Sequence, residues 1–128
     1  MPARGRRAPG PDRRALGAAG EQAAADWYEA AGYRVLDRNW RVREGELDLV
    51  LLAADGAVVF CEVKTRTSVR FGAPVEAVTA TKQRRVRTLA AQWLAANPGV
   101  GHGIRFDVAS VLAAPDAPVV VEIVQAGF

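Results

Sequence analysis

The chain has 128 residues, is 50% hydrophobic, and carries a formal net charge of +3. This size suits one domain around a single sheet, and no apolar run approaches the roughly 20 residues that span a bilayer. The basic N-terminal segment has no hydrophobic region after it, so no signal peptide is indicated and a cytoplasmic protein is expected. The single cysteine, Cys61, cannot form an internal disulfide and is expected to pack as a small hydrophobic residue, and with only one histidine a zinc site is disfavoured.

The positive charge is unevenly distributed. The first fifteen residues hold five arginines and one aspartate, a net charge of +4, whereas the remainder holds 12 basic and 13 acidic residues. Residues 1–14 contain three prolines and little apolar material, so we expect a flexible basic tail there. Residues 15–128 are then the single domain.

Residues 16–31 are predicted to form an amphipathic helix that ends at Gly32. Gly17 and Gly20 are poor helix formers, and their presence is explained if this face packs closely on a sheet. Such packing would bring Glu21 to a site there. The alternative is that Glu21 is a surface residue with a local hydrogen bond.

A first strand is predicted over residues 33–39, and the segment 40–43 leads from it toward the next strand. Trp40 either packs at the sheet edge or stacks on a nucleotide base, and the sequence favours packing. Arg41 and Arg43 beside it are candidates for contact with backbone phosphates.

Residues 46–52 and 58–65 flank Ala54-Asp55-Gly56 and predict an antiparallel hairpin. A three-residue loop with Gly56 in the left-handed region makes the numbers of paired residues sum to 110. One face is then apolar and contains Leu47, Leu49, Leu51, Val59, Cys61 and Val63. The other face pairs Glu46 with Lys64, Asp48 with Glu62, Val50 with Phe60 and Leu52 with Val58.

The directly opposed carboxylates of Asp48 and Glu62 repel each other unless they bind one cation or one stays protonated. Oxygen ligands of this kind suit Mg²⁺. Lys64 would lie on the same face, where its ammonium could stabilise charge on a phosphate. The alternative is an ordinary cross-strand ion pair between Glu46 and Lys64 on a solvated face.

Residues 67–78 are expected to form an irregular connection, from which Arg70 could approach a substrate. A helix is predicted over residues 79–96 with a basic first half and with Gln83 near its start. Residues 64–87 carry a net charge of +6, which suits a polyanion. The candidate nucleic-acid-binding residues are Arg41, Arg43, Arg66, Arg70, Lys82, Arg84, Arg85 and Arg87.

The second helix should end at Asn97-Pro98-Gly99, and a strand is predicted over residues 105–112. Asp107 in this strand has apolar neighbours, which favours a structural hydrogen-bonded role over metal binding. Residues 119–124 are a candidate final edge strand.

Gly45-Glu46-x-Asp48 followed by Glu62-x-Lys64 resembles the PD-(D/E)xK signature of restriction-endonuclease-like nucleases. The chain more closely resembles the YraN-type family of small bacterial proteins in that superfamily. Beyond the two signature segments, this resemblance rests on Gly17-x-x-Gly20-Glu21, Asn39-Trp40-Arg41, Lys82-Gln83 and Arg105-Phe106-Asp107-Val108. The matching segments fall within residues 16–111.

The resemblance implies an α/β fold with a restriction-endonuclease-like core, in which helices flank a central mixed sheet in the order αβββαβ. Archaeal Holliday-junction resolvases share the superfamily, and Glu21 matches their glutamate on the first helix. The implied metal ligands are Asp48, Glu62, Glu21 and the Val63 carbonyl, and the implied catalytic residues are Glu21, Glu46, Asp48, Glu62, Lys64 and Gln83.

The expected activity is phosphodiester hydrolysis of DNA by an endonuclease with Mg²⁺, or Mn²⁺ as a substitute, and resolvase-like action would favour a homodimer. The alternative is a nucleic-acid-binding module that keeps the fold without catalysis.

Overall fold

The computed structural model describes residues 13–68 and 78–128. Its elements are α1 (Arg13–Ala30), β1 (Arg34–Val42), β2 (Gly45–Leu52), β3 (Val58–Arg66), α2 (Ala80–Ala96), β4 (Ile104–Leu112) and β5 (Val120–Val124). The expectations for residues 1–12 of the basic tail and for Arg70 lie outside the described residues. Among the described residues, no helix combines the length and hydropathy needed to span a membrane.

The five strands form one mixed sheet in the order β1-β2-β3-β4-β5. The β3–β4 pair is parallel and the other three pairs are antiparallel. A parallel pair needs a crossover, and α2 with its flanking loops supplies it. The predicted α/β class and the αβββαβ order are confirmed, and β5 is the predicted edge strand.

Both helices end at the predicted signals, α1 before Gly32 and α2 at Ala96 with Asn97 as its C-cap. Gly32 after α1 has φ of 93°, and the Thr79 side chain caps α2 by accepting a hydrogen bond from the Lys82 main-chain N–H at 3.2 Å. Helix α1 begins at Arg13 rather than at residue 16, so Arg13 and Arg14, expected in the tail, are helical.

The hairpin loop has the predicted three-residue form. The Ala53 N–H donates to the Ala57 carbonyl at 2.9 Å, and Gly56 has φ of 95°. The ladder pairs Leu49 with Cys61, Val50 with Phe60, Leu51 with Val59 and Leu52 with Val58. These are the predicted partners.

The predicted register fails at the other end of the hairpin. The β2–β3 ladder ends at Leu49 and Cys61, so the expected pairs of Asp48 with Glu62 and of Glu46 with Lys64 do not form. Leu47 packs with Val50 in the layer under α2, whereas Leu49 packs in the layer under α1. The side-chain alternation of β2 therefore changes around Asp48.

Strand β1, which pairs with β2, is also irregular near Asp48. Its pairing with β2 shifts between Val35 and Asp37, and Asn39 has φ of 50°. Arg38 and Asn39 consequently both interact with α1: Arg38 donates to Gln22 at 2.7 Å, and Asn39 hydrogen-bonds Glu21. A strict period of two cannot describe strands with such breaks.

Each face of the sheet has its own core. Helix α1 covers one face with Ala24, Ala25 and Tyr28, and α2 covers the other with Val86, Leu89, Ala90 and Trp93. Cys61 is buried in the α1 layer and Trp40 packs against the α2 layer, so packing is confirmed for both.

Asp107 is fully buried and has the predicted structural role. Its carboxylate accepts hydrogen bonds from the Tyr28 hydroxyl at 2.7 Å, from the Arg105 guanidinium at 2.8 Å, and from the Ala126 N–H at 3.0 Å. This network ties α1 to β4 and to the segment after β5.

Candidate functional site

The site lies where the β2–β3 ladder ends. The Asp48 carboxylate accepts a hydrogen bond from the Val63 N–H at 2.9 Å, so a side chain of β2 binds the main chain of β3 beyond the last ladder pair. The sequence thus places a carboxylate at this break, and the hydrogen bond from Val63 uses its Oδ2 atom.

Gly20 allows α1 to approach this point. A Cβ atom on Gly20 would lie 1.8 Å from Thr65 Oγ1, so only glycine permits the observed contact between α1 and β3. A Cβ on Gly17 would meet nothing within 4 Å among the described residues. The close packing predicted for both glycines is thus correct for Gly20 and wrong for Gly17.

Three carboxylates converge here. Oxygen atoms of Glu21 on α1 and of Glu46 and Asp48 on β2 all lie within 4.8 Å of one another. Carboxylate oxygens are the ligands that Mg²⁺ and Ca²⁺ prefer. The donor set therefore fits a hard divalent cation.

The electrostatics of the triad favour such an ion. Burial and the nearby Glu62 carboxylate raise the pKa of Asp48 to about 7, although the Val63 N–H opposes the rise. Burial also raises the pKa of Glu21, against the opposing hydrogen bond from Asn39 and with further contributions from Glu46 and Glu62. Mutual repulsion of this kind is relieved by a bound cation.

Glu46 has a cross-strand partner other than the predicted one. It lies opposite Arg41 in the β1–β2 ladder, and Arg41 Nε donates to Glu46 Oε2 at 2.9 Å. The alternative of an ion pair between Glu46 and Lys64 is therefore wrong, because β1 rather than β3 supplies the partner.

Glu62 lies beside the triad and has two lysine neighbours. Lys82 Nζ on α2 is 2.7 Å from Glu62 Oε1, and Lys64 Nζ is 4.0 Å from the same oxygen. Burial and the ammonium of Lys82 lower the pKa of Lys64. Burial acts to lower the pKa of Lys82, but the hydrogen bonds to Glu62 and Lys64 and the negative charges of Glu62 and Asp48 together outweigh it, so the net shift is upward.

The structure therefore brings together Glu21, Glu46, Asp48, Glu62 and Lys64 from the predicted set. It does not bring the Gln83 side chain among them, because Gln83 Nε2 donates to the Val78 carbonyl at 3.1 Å. Val63 contributes its N–H to Asp48, and coordination by its carbonyl stays a prediction.

Two residues of the site were not assigned to it from sequence. Asn39 hydrogen-bonds Glu21, and the sequence signal for it is the Asn39-Trp40-Arg41 segment of the resemblance, because polar residues are common in β1. Lys82, which we expected to contact nucleic acid, pairs with Glu62, and its sequence signals are the Lys82-Gln83 segment of the resemblance and its place near the start of a basic helix.

The other candidate phosphate-binding residues have varied surroundings. Arg43, Arg84 and Arg85 are exposed, and Arg66 is partly buried. Arg87 is exposed, and its guanidinium lies over the Phe106 ring, with the guanidinium carbon 4.8 Å from the ring centroid. Their contacts with nucleic acid stay predictions.

Two open clefts, each of about 360 Å³, meet at Glu21. One is lined by Lys64, Thr65 and Val63, and the other by Asn39, Arg41 and Glu46. Arg13 and Gly17 line both. The clefts place cationic side chains on either side of the carboxylate triad.

The chain matches known proteins over most of its length. The family model described as uncharacterised protein family UPF0102 matches residues 20–111. A UPF0102 protein of Frankia alni is 53% identical over 115 residues, covering 89% of this chain and 94% of its own. A UPF0102 protein of Mycolicibacterium vanbaalenii is 57% identical over 100 residues, covering 77% of this chain and 81% of its own.

A search of solved structures finds Pyrococcus furiosus SfsA, solved in complex with Ca²⁺. The similarity has a TM-score of 0.39 and 16% sequence identity. It covers 87% of this chain but 63% of that one, so the chain spans less than two thirds of the solved protein. This similarity is too low to support an inference about function.

Proposed function

Since the chain belongs to the uncharacterised protein family UPF0102, we propose from its site that it is a metal-dependent nuclease that hydrolyses phosphodiester bonds of DNA. The observation that carries the proposal is the convergence of three carboxylates from α1 and β2 within 4.8 Å, beside a lysine pair. Arg41 and Lys82 compensate Glu46 and Glu62, but the neighbouring acids Glu21 and Asp48 have raised pKa values, which a bound cation would lower.

Glu21, Glu46 and Asp48 would hold Mg²⁺, with Glu62 next to them. The ion, when bound, supplies positive charge at a phosphate oxygen and makes bound water a better nucleophile. Asn39 orients Glu21, and the Val63 N–H orients Asp48, so two of the ligands are held by hydrogen bonds.

Lys64 is the residue placed to act on the substrate. Its side chain lines the cleft next to Glu21 and is 28% exposed, so a phosphate in this cleft would meet the ammonium. Hydrolysis joins a water oxygen to phosphorus, breaks the bond to the leaving oxygen and adds negative charge to the phosphoryl oxygens. A fixed ammonium stabilises that charge.

DNA fits the charge around the site. Arg13 and Arg41 line the clefts, and Arg84 and Arg85 are exposed on the first half of α2. The first turn of α2 contains Lys82 and no acidic residue. Positive charge therefore lies at the N-terminal end of the helix, where the helix dipole disfavours it. A polyanionic partner would compensate this arrangement.

The test is cleavage of linear single-stranded, linear duplex and branched DNA by the purified chain with Mg²⁺ or Mn²⁺. We expect metal-dependent cutting that is lost in Asp48→Asn and in Lys64→Met. Asp55→Asn is the matched control, because Asp55 is exposed in the hairpin loop and also accepts a backbone N–H, from Ala57 at 3.0 Å. Cutting that survives both site substitutions would exclude this site as its source.

The exposed arginines also support a second function, a DNA-binding module without catalysis. This function predicts salt-dependent binding in the presence of EDTA that is weakened by Arg84→Ala and Arg85→Ala. Absence of cutting on all substrates, together with such binding, would select it over the nuclease.

A further inference from the structure

Glu62 on β3 is a buried carboxylate, and its charge is compensated by a lysine on α2. It is 6% exposed, and the shorter of its two ion pairs, at 2.7 Å, is with Lys82 on α2 rather than with Lys64 on its own strand at 4.0 Å. Removing a buried charge from water is unfavourable unless a close partner replaces the lost hydration. Lys82 is that partner.

The position of Lys82 is unfavourable for the helix that carries it. Its N–H donates to Thr79 Oγ1, the N-cap oxygen, which places Lys82 in the first turn of α2. The helix dipole disfavours a cation there. The contact with Glu62 therefore stabilises an ammonium that the helix itself does not.

The Lys82 ammonium lies close enough to the carboxylate triad to be affected by the charge of a divalent ion bound there. Glu62 and the triad carboxylate Asp48 are close enough to repel each other, and Lys82 interacts favourably with both. A dication held by the triad would lie near the Lys82 ammonium and repel it.

We propose that Lys82 is an internal counter-cation, which neutralises Glu62 in the metal-free protein and competes with the divalent ion for that carboxylate. This role rests on the proposed metal site and adds a regulatory element to it. Lys82 compensates Glu62 in the metal-free site, as Arg41 compensates Glu46, and it lowers the affinity for the metal. It is a positioning residue in this scheme, not a ligand.

The experiment measures Mn²⁺ binding to the full chain by titration calorimetry, without DNA. Lys82→Met removes the ammonium but keeps an unbranched apolar side chain, and we expect Mn²⁺ to bind about tenfold more tightly. Arg84→Met is the matched control, because Arg84 is exposed on the same helix and its guanidinium donates to Thr81 Oγ1 at 3.3 Å rather than to an acid. It should stay within about twofold of wild type.

Two further variants keep the test independent of one substitution. Lys82→Arg retains the positive charge and should not bind Mn²⁺ more tightly than wild type. Lys82→Gln is measured if circular dichroism shows that Lys82→Met is not folded, and the same tightening is expected.

The outcomes separate this inference from the nuclease proposal. Equal Mn²⁺ affinity in wild type and Lys82→Met would overturn the role of Lys82 and leave the nuclease proposal standing. Tighter binding by Lys82→Met without DNA cutting by wild type would support the role of Lys82 and reject the nuclease. Failure of every variant to bind Mn²⁺ would overturn both.

Discussion

Replacement of Asp48 by asparagine should stabilise the metal-free protein while destroying its response to metal. In the folded chain the pKa of Asp48 is raised from 3.8 to about 7, first by burial and then by Glu62. Such a rise corresponds to about 4 kcal/mol of destabilisation when Asp48 is ionised well above pH 7. Asparagine carries no charge, and its carbonyl oxygen can still accept the Val63 N–H.

The sign of the pH dependence follows from the raised pKa. Between pH 4 and 7 the folded state holds the Asp48 proton more tightly than the unfolded state, so this group stabilises the fold at low pH. That contribution is lost as the pH rises through about 7. We therefore expect Asp48→Asn to gain about 2–4 kcal/mol over wild type at pH 8 and about 1–2 kcal/mol at pH 5, where the unfolded Asp48 is already mostly ionised.

The assay is urea unfolding followed by circular dichroism, in EDTA, at pH 5 and pH 8. Asp55→Asn makes the same chemical change at an exposed position and should alter the free energy of unfolding by less than about 0.5 kcal/mol. Adding Mg²⁺ at pH 8 should then stabilise wild type and not Asp48→Asn. An Asp48→Asn protein less stable than wild type at pH 8 would refute the reasoning.

Two further predictions concern the scaffold. Gly20→Ala should destabilise the fold by about 1–3 kcal/mol, because its Cβ would lie 1.8 Å from Thr65 Oγ1, whereas Gly17→Ala should stabilise it by up to about 1 kcal/mol. Thermal unfolding of both variants checks this, and equal melting temperatures would contradict it. Arg105→Met should cost about 3–5 kcal/mol by leaving the buried Asp107 without its guanidinium partner, and urea unfolding at pH 7 measures the loss. A loss below about 1 kcal/mol would show that the other donors to Asp107 suffice.

The elements and the hairpin loop could be predicted because local signals determine them. Gly32 and Asn97 mark helix ends, and the Ala54-Asp55-Gly56 loop fixes four consecutive ladder pairs. These signals act over a few residues, so a single sequence is enough to recognise them.

The face of each site residue could not be predicted in the same way. A two-residue alternation of side chains places Leu47 on the same face as Leu49. In the structure both β2 and β1 depart from this alternation near Asp48, and Leu47 and Leu49 lie on opposite faces. The composition of β1 does not predict that the Asn39 backbone is in the left-handed region. Its side chain contacts Glu21 on α1, which is distant in sequence. Asp48 was nevertheless identified, because a carboxylate within an apolar strand needs a partner whatever its register.

The partners of Glu62 and Glu46 escaped prediction for a related reason. Lys82 and Arg41 lie on α2 and β1, whereas strand pairing within the hairpin predicts partners only between β2 and β3. Gln83 was chosen by resemblance, and its neighbour Lys82 reaches the acids instead. Adjacent helix positions point about 100° apart, so a one-residue error moves a side chain out of a site.

Helix α1 is anchored at two places, by the contact of Gly20 with Thr65 and by the hydrogen bond from Tyr28 to Asp107. Eight residues of helix separate them, a span of about 12 Å. Glu21 directly follows Gly20, so loss of the Tyr28 hydrogen bond would let α1 turn about the contact with Thr65 and would change the direction in which the Glu21 side chain points. Under the proposed nuclease function, reduced activity in a Tyr28 or Asp107 variant would then report a changed orientation of Glu21 rather than a lost contact with DNA.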